Sequence, residues 1–175
     1  MVPQIKKILY ATDLTKNSAY VFYFAADLAR KYDAKIVILH CVGLIDPYPL
    51  ISYGGRSADA PTSLCKAAER EKDEHTIKLT KRLQAFLKEE EAQVGQSYAD
   101  LVSETIVTPG YAVEEILNTA DAKGCDLIVL GTHGKGWLKQ TFLGSTARSV
   151  LERTRKPMFI IPLPSDRPDL DWDAA

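Results

Sequence analysis

In the first part of the chain, the spacing of apolar residues changes from one segment to the next. Lys7 to Thr12 (KILYAT) is a short apolar run that ends at a polar cluster, and it predicts a buried strand. From Ser18 onward, apolar residues recur every three or four positions as far as Asp33, which predicts a helix with one apolar face. The run KIVILHCV, residues 35–42, is continuously apolar, as expected of a strand covered on both faces. The chain therefore begins with a strand, a helix and a second strand.

The same alternation continues beyond an irregular segment. Residues 43–61 are rich in glycine and proline, which predicts a long loop. Residues 62–93 carry a stripe of apolar residues among lysines and glutamates, which predicts one long amphipathic helix. The remaining predictions are strands at 101–108, 126–130 and 157–161, a helix that follows the TPGY turn and ends at Gly124, and a helix at 145–154.

Strands that alternate with helices pair in parallel through right-handed crossovers. We therefore expect one domain over residues 1–175, an open three-layer α/β/α sandwich with a five-stranded parallel sheet and an acidic tail at 163–175. Folds of this kind bind ligands at the carboxyl ends of the strands, where the strand order reverses. That rule points to Thr12 and Asp13 after the first strand, to Cys41 in the second, and to the loop after Leu130.

Composition and charge exclude several classes of protein. The formal net charge of −1 gives no electrostatic reason to expect a nucleic acid or an anionic membrane as a partner. The three cysteines are widely spaced and form neither a disulfide framework nor a zinc motif. No apolar run has the length of a membrane span, and the first one is too short for a signal peptide. We therefore expect a cytoplasmic protein.

Four of the chain's 10 glycines lie in the segment GTHGKGWLKQTFLGST, residues 131–146. A Walker A loop started at Gly131 lacks its lysine, and a dinucleotide fingerprint started at Gly134 has Lys139 in place of its third glycine. The spacing that does fit is G-x2-G-x9-G-[ST], which ends at Gly144 and Ser145. Such glycines let the backbone approach a ligand closely, and a helix that starts there offers amides to an anion. The alternative is a tight turn followed by an ordinary helix cap.

That spacing resembles the nucleotide-binding pattern of the universal stress protein family. The stretches ILYATDL, ILHCV, TPGYAVEEIL, DLIVLGTHGKG and GSTARSVLERTRKPMFIIP are similar to that family in the same order, and they extend from Lys7 to Pro162. The resemblance implies an adenine-nucleotide alpha hydrolase-like fold with strand order 3-2-1-4-5, and it implies ATP binding. The residues that it assigns to ATP are Thr12, Asp13, Cys41, Leu130, Gly131, His133, Gly134, Lys135, Gly144, Ser145 and Thr146.

A metal site built from the protein alone is not expected, because the three histidines are scattered. We expect Mg²⁺ to arrive with the nucleotide and to lie near Asp13.

Some of these residues also have a structural interpretation. Asp13 is placed to cap the helix that follows it. The thiol of Cys41 is interpreted as a small buried hydrophobe rather than a nucleophile. His133 and Lys135 either touch phosphate or are solvated. Ala147 departs from the family pattern, in which another hydroxyl residue often stands, and this weakens the expected γ-phosphate contact.

The leading functional hypothesis is a universal stress protein that binds ATP and acts as a nucleotide-dependent regulatory or interaction module in the stress response. The sequence does not identify its protein partner. It also offers no pair of nucleophile and base, so efficient turnover is not expected. A slow or partner-stimulated ATPase is the alternative, and a dimeric scaffold that no longer binds nucleotide is a second alternative.

The fifth strand would form an open edge of the sheet, which needs covering. The resemblance implies a homodimer through that strand, at Pro157, Met158, Phe159, Ile160, Ile161 and Pro162.

Overall fold

The computed structural model describes residues 4–14, 18–42, 98, 100–132 and 143–162, together with the helical residues 77, 78, 80, 81, 84, 85, 87 and 88. The strands are β1 (Lys7–Thr12), β2 (Lys35–Val42), β3 (Val102–Pro109), β4 (Leu127–Gly131) and β5 (Met158–Ile161). The helices are α1 (Ser18–Tyr32), α2 (Ala112–Ala122) and α3 (Ser145–Arg153). The predicted loop at 43–61, the tail at 163–175 and most of the predicted helix at 62–93 lie outside the described residues.

The five strands form one parallel sheet in the order β3-β2-β1-β4-β5, which confirms the predicted sheet and its strand order. β1 lies at the centre, because it pairs Thr12 with His40 of β2 on one side and Tyr10 with Val129 of β4 on the other. All five strands run in the same direction, so they end together. We call this side of the sheet the carboxyl edge.

Apolar side chains pack on both faces of the sheet. On one face, α1 presents Phe22 to a cluster that includes Ile8 of β1. On the other face, α2 and α3 bring Ile116 and Val150 into a cluster that includes Leu9. Successive strand residues point to opposite faces, so Ile8 and Leu9 belong to different clusters. This double coverage explains why the central strands are continuously apolar in sequence.

The opposite end of the sheet is fixed by Asp126, the residue before β4. Its Oδ2 atom accepts the backbone N–H of Lys6 at 2.9 Å and that of Lys7 at 3.0 Å. Its own N–H donates to the carbonyl oxygen of Lys7 at 2.7 Å. Asp126 is therefore an anchor between β1 and β4, and the strand starts one residue after the predicted position. The anchor aligns β1 with β4 and hence positions their carboxyl ends.

The C-terminus of α2 has the geometry that its glycine predicts. Gly124 follows the helix with φ of +61°, in the left-handed region that favours glycine. The N–H of Gly124 donates to the Asp121 carbonyl oxygen at 3.0 Å, and the N–H of Cys125 donates to that of Ala120 at 2.8 Å. This pair of bonds is a Schellman motif, which satisfies carbonyl groups at the end of the helix.

Candidate functional site

The strand order reverses next to β1. The connection through α1 leads from β1 to β2 on one side, whereas β4 lies on the other side of β1 and belongs to the later part of the chain. In open parallel sheets a crevice forms outside the carboxyl ends at such a point. Here Thr12 at the end of β1 and Gly131 at the end of β4 flank that position.

The end of β1 turns sharply toward α1. The Thr12 hydroxyl accepts the N–H of Leu14 at 3.1 Å, and Leu14 has φ of +55°, which is unusual for a residue other than glycine. Between them, the half-buried Asp13 accepts a hydrogen bond at Oδ1 from the Ser18 hydroxyl at 3.2 Å. The Asp13 carboxylate therefore lies at the carboxyl edge and contacts the first residue of α1.

The end of β2 adds two side chains beside β1. His40 is buried, and its Nδ1 atom lies 2.8 Å from the carbonyl oxygen of Thr12. A carbonyl only accepts hydrogen bonds, so this contact places the proton on Nδ1. His40 thus supports the backbone of β1. Cys41 is half-buried, and burial, together with the nearby charge of Glu115, raises the pKa of its thiol to about 11. That pKa agrees with the interpretation of Cys41 as a small hydrophobe.

The end of β3 brings Glu115 of α2 to the same edge. Gly110 has φ of +152°, and its N–H donates to the Val42 carbonyl oxygen at 3.0 Å. The side chain of Glu115 folds over Gly110, so closely that a Cβ atom at Gly110 would lie 2.7 Å from Glu115 Cγ. Glu115 Oε2 accepts a long hydrogen bond of 3.4 Å from the Thr108 hydroxyl. The glycine is therefore what allows this carboxylate to lie against the turn.

The start of α3 is tied directly to the end of β4. The N–H of Gly144 donates to the Thr132 carbonyl oxygen at 2.6 Å, and the N–H of Thr132 donates to that of Ile161 at 3.0 Å. Gly144 is the N-cap residue of α3, and as a glycine it has no side chain of its own to cap the helix. By helix geometry, the amides of residues 145–147 have no acceptor within the helix. The positive end of the α3 dipole therefore faces the carboxyl edge.

The two helices that begin near this edge differ in charge. The first turn of α2 carries Glu114 and Glu115, which already complement the positive end of its dipole. The first turn of α3 carries no acidic residue, and Arg148 lies at its end. An external anion is thus favoured at the start of α3 and disfavoured at the start of α2.

The structure brings most of the predicted ATP residues to one edge. Thr12 and Asp13 lie at the end of β1, Cys41 near the end of β2, Gly131 at the end of β4, and 144–146 at the start of α3. The side chain of Leu130 is buried in the core below the edge. The side chain of Ala147, the residue that departs from the family pattern, is also buried there. His133, Gly134 and Lys135 lie outside the described residues.

Four residues of the edge were missed in the sequence analysis: Tyr10, Ser18, Thr132 and Glu115. Tyr10 had a usable signal, because a tyrosine inside a buried strand needs a partner for its hydroxyl. The contacts of Glu115 depend on the fold of the turn before α2, which the sequence pattern does not specify. Within the described residues, no three His, Cys, Asp or Glu side chains converge to hold a metal ion.

Comparison with known proteins agrees with this architecture. The sequence model of the universal stress protein family matches residues 4–162, which is nearly the whole chain. The chain belongs to the universal stress protein family. This match confirms the family that the sequence resembles. None of the helices in the described part of the chain is long and apolar enough to span a bilayer.

Individual relatives extend over similar lengths. The universal stress protein YxiE of Bacillus subtilis is 32% identical over 159 residues, which cover 89% of this chain and 97% of the relative. The solved structure of the universal stress protein UspA from Lactobacillus plantarum has a TM-score of 0.67 and 19% identity, covering 90% of this chain and 98% of that one. A universal stress protein solved in complex with cAMP has a TM-score of 0.52 and 17% identity, covering 91% and 98% of the two chains. These structural neighbours share the fold of this chain.

Proposed function

We propose that this protein binds ATP at the carboxyl edge of its sheet and acts as a nucleotide-dependent regulatory or interaction module in the cytoplasm. The observation that carries the proposal is the start of α3, which begins at a glycine N-cap, has no acidic residue in its first turn and lies beside the reversal of strand order. The complex of a structural neighbour with cAMP supports an adenine nucleotide as the ligand.

The triphosphate would lie at the start of α3. The amides of Ser145 and Thr146 would donate to phosphate oxygens, and Arg148 adds a positive charge to the same turn. Hydrogen bonds to a charged group contribute about 1.5–3 kcal/mol each, and a helix dipole about 0.3–2 kcal/mol. Micromolar affinity corresponds to about 8 kcal/mol, so these contacts supply part of it and contacts to the sugar and base supply the rest. Gly131 and the sequence-predicted His133, Gly134 and Lys135 complete the proposed phosphate loop.

The sugar and base would extend from there across β1 toward β2. The Asp13 carboxylate can accept hydrogen bonds from ribose hydroxyls or hold a Mg²⁺ ion that the triphosphate brings, because hard cations prefer oxygen ligands. Thr12 and Cys41 would border the base, and the protonated thiol of Cys41 presents a weakly polar surface to it. A thiol with its pKa raised to about 11 is a poor nucleophile at neutral pH, which favours a binding module over covalent catalysis.

Two copies of the chain would pair through β5. This strand forms one edge of the sheet, and Phe159 is 40% exposed on it. The ring of Phe159 lies 6.3 Å from that of the half-buried Phe24 of α1, so aromatic side chains continue beyond the strand. A second copy would cover both the open backbone groups of the edge and these rings.

The phosphate position is tested by Ser145→Glu, with Ser145→Gln as its matched neutral control. Ser145 is exposed, so either side chain fits without disturbing the core. A carboxylate in the first turn should stabilise α3 by about 0.3–1 kcal/mol. It should also repel a phosphate about 5 Å away by roughly 1–3 kcal/mol, which corresponds to about tenfold weaker ATP binding.

Stability and affinity thus move in opposite directions in Ser145→Glu, which separates loss of the site from damage to the fold. Thermal unfolding and equilibrium titration with ATP measure the two quantities. Equal affinity for ATP in Ser145→Glu and Ser145→Gln would show that the phosphate does not bind at the start of α3.

A further inference from the structure

Tyr10 carries a hydroxyl into the core of the protein at the centre of β1. The side chain is 2% exposed, and its ring packs against that of Phe22 with centroids 5.7 Å apart. The hydroxyl donates to the carbonyl oxygen of Ser18 at 2.7 Å, a short and buried hydrogen bond. Burial is the main cause that raises the pKa of this phenol; a hydrogen bond with the Thr12 side chain lowers it, and the nearby charge of Asp13 raises it. Tyr10 is therefore a neutral hydrogen-bond donor located directly below the end of β1.

The residue that receives this bond also contacts Asp13. Ser18 is 5% exposed; its carbonyl oxygen accepts from Tyr10, and its hydroxyl donates to Asp13 Oδ1 at 3.2 Å. Ser18 thus links Tyr10 in the core to Asp13 at the carboxyl edge, through its backbone carbonyl on one side and its hydroxyl on the other. A shift of Ser18 would be transmitted to the carboxylate.

The Tyr10 hydroxyl is not required to satisfy Ser18. In an α-helix, the carbonyl of the first residue accepts the N–H four residues later, so the Ser18 carbonyl keeps a partner without Tyr10. Phenylalanine at position 10 would also keep the ring contact with Phe22. The hydroxyl is thus dispensable for packing, and its contribution lies in fixing the first turn of α1 relative to β1.

We propose that Tyr10 is a positioning residue for nucleotide binding, whose hydroxyl holds Ser18 so that the Asp13 carboxylate is oriented toward the ribose hydroxyls. The inference rests on the proposed binding of ATP. Two ribose hydroxyls present two donors to one carboxylate, so the orientation of that carboxylate decides whether both bonds form. Holding Asp13 in place before the ligand arrives removes part of the entropic cost of binding.

The test compares the affinities for ATP and for 2′,3′-dideoxyATP, which lacks both ribose hydroxyls. Wild-type protein should prefer ATP by about 10-fold or more, as expected for hydrogen bonds to a charged group. Tyr10→Phe should weaken ATP binding about 3- to 10-fold and leave the affinity for 2′,3′-dideoxyATP unchanged. A general loss of structure would weaken the binding of both ligands and leave the ratio of their two affinities unchanged.

Two further sets of variants complete the design. In an Asp13→Ala background, Tyr10→Phe should have no additional effect on ATP affinity, because Tyr10 acts through Asp13. Tyr98→Phe is the matched control, since Tyr98 is also buried and its ring lies 5.1 Å from that of Phe22, but it belongs to a different part of the chain. This control should retain the wild-type ratio of the affinities for ATP and 2′,3′-dideoxyATP. Ser18→Ala should reproduce the effect of Tyr10→Phe, which gives a second variant that removes only one hydroxyl.

The outcomes distinguish the two proposals. Wild-type protein that binds no ATP overturns the proposed function and this inference with it. Wild-type protein that binds ATP, together with an unchanged ratio in Tyr10→Phe, overturns the positioning role alone. Additive effects of Tyr10→Phe and Asp13→Ala on ATP affinity also contradict it.

Discussion

The turn between β3 and α2 provides a direct test of the geometry at the carboxyl edge. Gly110 has φ of +152°, which side-chain-bearing residues rarely adopt, and Glu115 occupies the space in which a Cβ atom would stand. In Gly110→Ala, the new methyl carbon would lie 2.7 Å from both Cγ and Oε1 of Glu115. Glu115 would have to move, and its hydrogen bond with Thr108 would be lost.

Two terms make up the expected loss of stability. A residue forced into a rarely populated backbone conformation costs about 1–3 kcal/mol, and the clash that displaces the Glu115 side chain costs about 1–3 kcal/mol more. Gly110→Ala should therefore lower the free energy of unfolding by about 2–6 kcal/mol. Gly124→Ala is the matched control, because its φ is +61° and nothing lies within 4 Å of its added Cβ atom. It should lose only the backbone term, about 1–2 kcal/mol.

Urea unfolding followed by circular dichroism measures both losses. The steric term is isolated by repeating Gly110→Ala in a Glu115→Ala background, where the coupling between the two sites should be about 1–3 kcal/mol. The packing of the Glu115 side chain over Gly110 is refuted if the coupling is absent and Gly110→Ala lowers the free energy of unfolding no more than Gly124→Ala does.

Three other predictions concern different parts of the molecule. Asp126→Ala should lower the free energy of unfolding by about 1–3 kcal/mol, because two backbone N–H groups lose a charged acceptor, and Asp126→Asn should lose less; urea unfolding checks this, and a wild-type value for Asp126→Ala contradicts it. Iodoacetamide should label Cys41 about 200-fold more slowly than an ordinary thiol at pH 8, since a pKa of about 11 rather than about 8.5 leaves little thiolate. The labelling rate of Cys41 should keep rising with pH up to about 11. Peptide mapping that finds ordinary reactivity of Cys41 at pH 8 would contradict the burial of its thiol. Phe159→Asp should convert the proposed dimer into a monomer of about 19.4 kDa by light scattering, whereas a wild-type monomer rejects pairing through β5.

The central strands could be predicted from sequence because both of their faces are buried. β1 and β2 have the bounds that their apolar runs indicate. β3 is shifted by one residue, from the predicted 101–108 to Val102–Pro109. At β4 and β5 the predicted start is one residue early, because the residue there has another role. Asp126 was assigned to β4, but its carboxylate anchors the backbone of Lys6 and Lys7. Pro157 was assigned to β5, which starts at Met158; the Pro157 carbonyl oxygen still accepts the N–H of Ile128 at 3.0 Å.

The candidate site was predictable only in outline. Spacing of glycines and the position of Asp13 after a strand are local features, so they are visible in the sequence. The hydrogen bonds from Tyr10 to Ser18 and from Ser18 to Asp13 cannot be read from the sequence in this way. They depend on how α1 returns toward β1 and places the Ser18 carbonyl oxygen over Tyr10. The difference in charge between the first turns of α2 and α3 becomes meaningful only once both helices are known to start at the same edge.

Calorimetric titration of the purified protein with ATP and Mg²⁺ tests the central claim most directly. The arrangement of α3, Asp13 and the ends of the central strands predicts one ATP per chain with a micromolar dissociation constant, or roughly −8 kcal/mol. An absence of binding at millimolar ATP would contradict it.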